Sequence, residues 1–298
     1  MNVYHRLEDV PPHPAGSCVA LGVFDGVHLG HRAVLQAAVR QARQAGWRSV
    51  ALTFHPHPQQ VVARVPDPFL ILPLEERLRR IATLGLDAAL VLRFDKALRR
   101  TEPEEFVRAV LVDGLGAKAA VCGPDFRFGR DRRGDAELLR QLGSELGFSV
   151  EVCPPVEVGG QRVSSSRIRA LLREGRAEEA CELLAHHEAV ACAVHEGRVL
   201  LADGSRLPKA PVLPGEPPEQ AARRAVGTSG VGTWRAESLG RLAIPEFLEV
   251  WHPYRLSHGS NPLPAETGRW EPADRVQLEE PFRRVLLKAL EAVGEAGP

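Results

Sequence analysis

Apolar and polar positions along the first 185 residues change period repeatedly, from short unbroken apolar runs to helical spacing and back. Val19, Ala20, Leu21 and Val23 predict a buried strand, and Val34, Ala37, Ala38, Ala42 and Ala45 then recur at helical spacing. The same alternation predicts strands over 50–52, 88–94, 119–122 and 150–152, and helices over 74–84, 104–115 and 136–146. A helix beginning near Ser166 and another over 177–184 close the series. Strands that alternate with helices in this way predict an α/β fold around a doubly wound parallel sheet, here over residues 1–186. Residues 187–298 read as a smaller α+β domain, with strands over 190–194 and 199–202, a helix holding Ala221-Ala222-Arg223-Arg224, and a helix over 285–290.

Four segments carry chemistry, three of them following strands. Gly22-Val23-Phe24-Asp25-Gly26-Val27-His28-Leu29-Gly30-His31 joins the first strand to its helix. A helix start offers unpaired N–H groups and a positive dipole end to an anion, and two imidazoles add donors there. Thr53-Phe54-His55-Pro56-His57-Pro58 reads as a loop stiffened by two prolines. Gly123-Pro124-Asp125-Phe126-Arg127-Phe128-Gly129-Arg130, with Arg132 close behind, offers an acid for a metal, aromatic rings for stacking and arginines for phosphates. Ser164-Ser165-Ser166-Arg167-Ile168-Arg169 opens another helix, where the serines cap and the arginines add positive charge.

GVFDGVHLGH resembles the signature of the HxGH nucleotidyltransferases, and the four segments in this order resemble the adenylyltransferase domain of the prokaryotic bifunctional riboflavin kinase/FAD synthetases. The resemblance covers roughly residues 15–185 and implies a Rossmann-like parallel sheet that transfers AMP from ATP to FMN, giving FAD and pyrophosphate with Mg²⁺. It implies that His28, His31 and Arg169 are catalytic, and that Gly22, Phe24, Asp25, Gly30, Ser164, Ser165 and Arg167 bind ATP. His55, Pro56, His57, Pro58, Asp125, Phe126, Phe128 and Arg132 are then expected on the flavin side, with Asp125 also the candidate metal ligand.

Beyond residue 185 the pattern departs from that family. Its kinase domain carries a segment resembling GFPTAN, and nothing like it occurs here, which puts riboflavin phosphorylation in doubt. Leu213-Pro214-Gly215-Glu216 and the following Ala-Arg helix weakly resemble the approach to a Nudix box, but Ala225-Val226-Gly227-Thr228-Ser229 lacks the carboxylates that would hold Mg²⁺. Alternatives therefore stay open: a bifunctional enzyme, a transferase with another phosphate acceptor, or a non-catalytic flavin or nucleotide sensor.

Charge narrows the partners. Lys plus Arg and Asp plus Glu both number 38, so there is no basic excess for bulk nucleic acid. No apolar run approaches a membrane span and no signal-peptide core is seen. The five cysteines lack CxxC spacing, which reads as buried thiols in a reducing cytoplasm. The expected partners are small molecules, and oligomeric state is left open.

Overall fold

A computed structural model describes residues 1–63, 70–195, 198–201, 207–225, 235–238, 242–244, 249–257, 269–272, 278, 280–282 and 285. The chain divides into two compact units, Met1–Gly175 and Arg176–Pro298.

The first unit is built on a six-stranded sheet of β1 (Asn2–Tyr4), β2 (Ser17–Leu21), β3 (Arg48–His55), β4 (Ala88–Arg93), β5 (Ala117–Cys122) and β6 (Ser149–Val152). All its pairings are parallel, in the order β1-β4-β3-β2-β5-β6. Its helices are α1 (Leu29–Ala45), α2 (Pro58–Ala63), α3 (Leu74–Ala82), α4 (Lys96–Arg100), α5 (Pro103–Phe106), α6 (Ala136–Leu146) and α7 (Ser165–Arg173). A two-residue-per-strand hairpin of β7 (Glu157–Val158) and β8 (Gln161–Arg162) precedes α7.

Alternation along the strands separates two cores. Val19, Leu21, Val50, Leu52 and Leu90 point to one face and pack with Phe106, Leu111 and Leu139. Cys18, Ala20, Ala51, Ala89 and Val121 point to the other, against Leu35, Ala38 and Ala42 of α1 and Ile81 of α3. Small residues on this second face let α1 lie close to the sheet. Gly46 ends α1 in the left-handed region at φ 69°, a conformation that glycine adopts at little cost.

Chain order reverses between β2 and β5: successive strands build outward through β3 and β4 on one side and through β6 on the other. The crevice at the carboxyl ends of β2 and β5 is where such a sheet offers a ligand site. The loops at Gly22–His28 and Gly123–Gly129 both emerge there.

Several predicted boundaries move. Thr53, Phe54 and His55 belong to β3 rather than to a loop, because their backbones continue the ladder with Val91, Leu92 and Arg93. The helix predicted over 104–115 is α5 running into π-helical turns at Val107–Gly114. β1 and the β7–β8 hairpin were not predicted; each is too short to show a period.

The second unit contains α8 (Ala177–Leu184) and a seven-stranded sheet of β9 (His187–His195), β10 (Arg198–Leu201), β11 (Lys209–Pro211), β12 (Arg235–Ser238), β13 (Leu242–Ile244), β14 (Glu249–Ser257) and β15 (Arg269–Pro272), with α9 (Pro218–Ala225). The sheet is mixed, since β14 runs parallel to β9 while the other pairings are antiparallel. α8 belongs to this second unit, where it packs on β13 and β14. The stretch Val226–Ser229 and most of the helix predicted over 285–290 lie outside the described residues.

Candidate active site

The turn after β2 is held in an uncommon backbone shape. Phe24 and Val27 sit at φ 54° and 43°, left-handed values that are costly for bulky and β-branched residues and that cluster at functional turns. Gly22 makes this shape fit: a Cβ there would lie 2.6 Å from the Phe24 ring. Phe24 is buried and meets His31 edge to face, with ring centroids 5.4 Å apart.

His28 caps α1. Its Nδ1 accepts the His31 N–H at 3.3 Å, and the two imidazoles stack with centroids 3.6 Å apart. The accepting Nδ1 assigns the His28 proton to Nε2. Gly30 leaves room for this arrangement, because a Cβ would come within 3.2 Å of His28 Cε1. Burial, followed by the charges of Arg162 and Arg169, lowers the His28 pKa to about 4. Burial, followed by His28, Arg77 and Arg169, holds His31 well below its ordinary value. Both rings are therefore neutral at pH 7 and act as N–H donors rather than cations.

Asp25 faces the protein. Its carboxylate accepts the N–H groups of Ile71 and Leu72 at 3.1 and 3.2 Å and pairs with Arg169 Nη2 at 2.5 Å. Its carbonyl accepts Ser165 Oγ–H at 3.0 Å. Asp25 thus fixes the turn, tying it to α7 and to the segment before α3. Ser164 caps α7 by accepting the Arg167 N–H at 3.2 Å. Arg167, expected at the ATP phosphates, gives Nη1 to the carbonyls of Val158 and Gln161 at 3.2 and 2.9 Å and so braces the β7–β8 hairpin.

Two clefts flank this framework. The smaller, about 230 Å³, is lined by Gly22, Phe24, His28, Gly30, His31, Gly123, Asp125, Arg162, Ser164 and Ser165, among others. The larger, about 640 Å³, is lined by His57, Pro58, Asp125, Phe126, Phe128, Arg132 and Arg169, and by Phe54, Phe94, Leu98, Arg99 and Phe106. Both are bordered by His31, Asp125, Phe126 and Ser165, so they meet beside the stacked histidines. The expected site residues are largely brought together; His55, Pro56 and Arg167 line neither cleft. His57 is buried, its Nδ1 accepts the Gln59 N–H at 3.1 Å, and burial, the largest influence, lowers its pKa to about 4.

Sequence reasoning missed Phe94, Leu98, Arg99, Phe106 and Arg162. Phe94 was within reach, because it directly follows the carboxyl end of β4. Arg162 lines the smaller cleft and pairs with Asp125, whose side chain is 71% exposed. Among the described residues no group of three or more His, Cys, Asp and Glu is arranged to hold a metal. Asp125 is then a single exposed carboxylate at the junction, which suits a cation that keeps most of its waters and is held chiefly by substrate phosphates.

Comparison with known proteins places this geometry in context. A profile of the FAD synthetase family matches residues 10–167. A Geobacillus thermodenitrificans protein is 42% identical over 170 residues, covering 57% of this chain and 89% of its own. The Escherichia coli (strain K12) bifunctional riboflavin kinase/FMN adenylyltransferase is 35% identical over 193 residues, covering 65% of this chain. The match spans only 61% of the Escherichia coli protein's length. A crystal structure described as a macrolide-efflux protein from Streptococcus pneumoniae superposes with a TM-score of 0.53 at 29% identity, over 66% of this chain and 75% of that one.

Proposed function

The chain belongs to the FAD synthetase family, and from that premise we propose that it is an FMN adenylyltransferase, making FAD and pyrophosphate from ATP and FMN. The observation that carries this reading is the meeting of two clefts of different character at His31, Asp125, Phe126 and Ser165. The smaller ends at the α1 N-terminus and suits a nucleotide with its phosphates against His28 and His31. The larger is walled by five phenylalanines and suits the planar flavin, with its phosphate directed to the junction.

In this reading the FMN phosphate oxygen attacks the α-phosphorus of ATP in line, and pyrophosphate leaves. The nucleophile is already an anion at neutral pH, so no general base is required. Catalysis rests on positioning and on charge stabilisation. The neutral N–H groups of His28 and His31 donate to oxygens on which charge builds, and the free N–H groups at the start of α1 add to them. Ser164 and Ser165 hold the start of α7 against the smaller cleft, where Arg162 faces the phosphates. Arg169 keeps Asp25 in place and lines the flavin side. Mg²⁺, arriving with ATP, would neutralise phosphate charge, and Asp125 would be the carboxylate to hold it as Arg162 moves from Asp125 to the phosphates.

We assign this chemistry to the N-terminal domain, residues 1–186, and place the protein in the cytoplasm. Cys18, Cys122 and Cys153 are buried and form no disulfide among the described residues, which supports a reducing compartment. Incubation of the full chain with ATP, Mg²⁺ and FMN tests the activity. FAD and pyrophosphate formed in equal amounts uphold it; no FAD under any condition that retains the fold overturns it.

A further inference from the structure

Arg77 is unlike its neighbours on α3. Arg79 and Arg80 both bond Glu76. Arg77 is 2% exposed and gives its Nη1 to the Val23 carbonyl at 2.8 Å and its Nη2 to the Phe54 carbonyl at 3.1 Å. Its Nε has no partner among the described residues. The guanidinium therefore spans the carboxyl ends of β2 and β3 directly beneath the histidine turn, and Thr53 Oγ–H joins it on the Val23 carbonyl at 2.8 Å. It lines neither cleft.

Two carbonyls alone do not account for an arginine here. Arginine does not shed its proton inside a protein, so a buried guanidinium keeps its full desolvation cost unless a negative group offsets it. The acidic group that acts on Arg77 is Asp25, and Asp25 is already in contact with Arg169. One buried carboxylate against two buried guanidiniums leaves one positive charge in excess. The neighbouring His28, His31 and His57 stay neutral at pH 7 and do not change that balance.

We propose that Arg77 is a positioning residue with a second role: it fixes the ends of β2 and β3 and supplies, from behind the clefts, the excess positive charge that an incoming polyphosphate balances. This rests on the adenylyl-transfer reading and deepens it, since the ligand named is the polyphosphate chain of the nucleotide or the pyrophosphate released from it. A fixed cation in a low-dielectric interior acts on a nearby anion over several ångströms with little screening by salt.

The test compares Arg77→Lys and Arg77→Met in the full chain. Thermal unfolding reads the brace, while the KM for ATP and inhibition by inorganic pyrophosphate read the charge. Both variants lose the two-carbonyl fork, so both melt earlier. Met raises the KM for ATP and the pyrophosphate inhibition constant by about tenfold, whereas Lys keeps both within about threefold of the parent, because it retains the charge. Equal effects of Lys and Met on both constants, or no effect of either, overturn the proposal and leave Arg77 as a brace alone. If the Met variant does not fold, Arg77→Gln, which keeps amide donors without the charge, decides: a roughly tenfold loss of pyrophosphate inhibition upholds the charge role, and inhibition within about threefold of the parent overturns it. Should the parent form no FAD, the adenylyl-transfer reading fails by itself. Calorimetric titration of inorganic pyrophosphate into parent and variants then gives the same comparison.

Discussion

His28 and His31 illustrate how a residue type acquires its role from its surroundings. An exposed imidazole titrates near pH 6.5, yet burial lowers His28 to about 4 and holds His31 below its ordinary value, so donation to phosphate comes from neutral rings. Removing either ring by His28→Ala or His31→Ala should lower kcat by roughly tenfold to a thousandfold, as loss of a transition-state donor does. The stacked pair sits at a helix start, so the fold should persist, as circular dichroism would check. The same shifts set a pH dependence of stability. The folded His28 and His57 bind their protons only near pH 4, whereas in the unfolded chain they bind near pH 6.5. Between those values the unfolded state holds more protons, so stability falls as pH drops from about 6.5 to 4. Melting temperature followed across that window should decline, and His57→Phe should flatten the decline. Most of these residues were legible because their signals are local: glycines at a strand end, histidines at a helix start. Arg77 was not, because its partners are backbone carbonyls that only the folded sheet brings together.

At the scale of elements, the long helices and the central strands followed from periodicity, since burial on one or both faces writes itself into the sequence. Elements too short to carry a period were lost, and one of them matters to the site. The β7–β8 hairpin holds Arg162 at the smaller cleft and is tied to α7 through Arg167, whose motif position suggested a phosphate ligand instead. A serine-rich helix start with two arginines does not reveal which arginine faces outward; Arg169 turns to Asp25 and Arg167 to the hairpin. Arg167→Ala should release the hairpin and raise the KM for ATP by about threefold to tenfold while changing kcat less, the pattern of lost uniform binding. Faster proteolytic cleavage near Gly159-Gly160 would confirm release of the hairpin, and an unchanged KM would return Arg162 to a surface role.

For the molecule as a whole, the two units raise the question of how many reactions one chain performs. Relatives named for both riboflavin kinase and FMN adenylyltransferase match over about two thirds of this chain, and the match to the Escherichia coli enzyme covers 61% of that protein. Beyond residue 185 no segment resembles GFPTAN, whose Thr-Ala-Asn part helps that family's kinase domain hold metal and ATP. Phosphorylating riboflavin demands its own metal and nucleotide site, since the attacking group is then a neutral hydroxyl that must be deprotonated and aimed at a γ-phosphate. In the proposed adenylyl transfer the nucleophile is already an anion. With riboflavin in place of FMN, the full chain should therefore release neither FMN nor FAD when supplied with ATP and Mg²⁺. Chromatography of the flavins separates the outcomes: FAD from FMN alone assigns a single reaction to this chain, while FMN or FAD appearing from riboflavin would require a kinase site built from residues other than that segment. The FMN consumed here would then be made by a separate phosphotransferase that uses riboflavin as its acceptor.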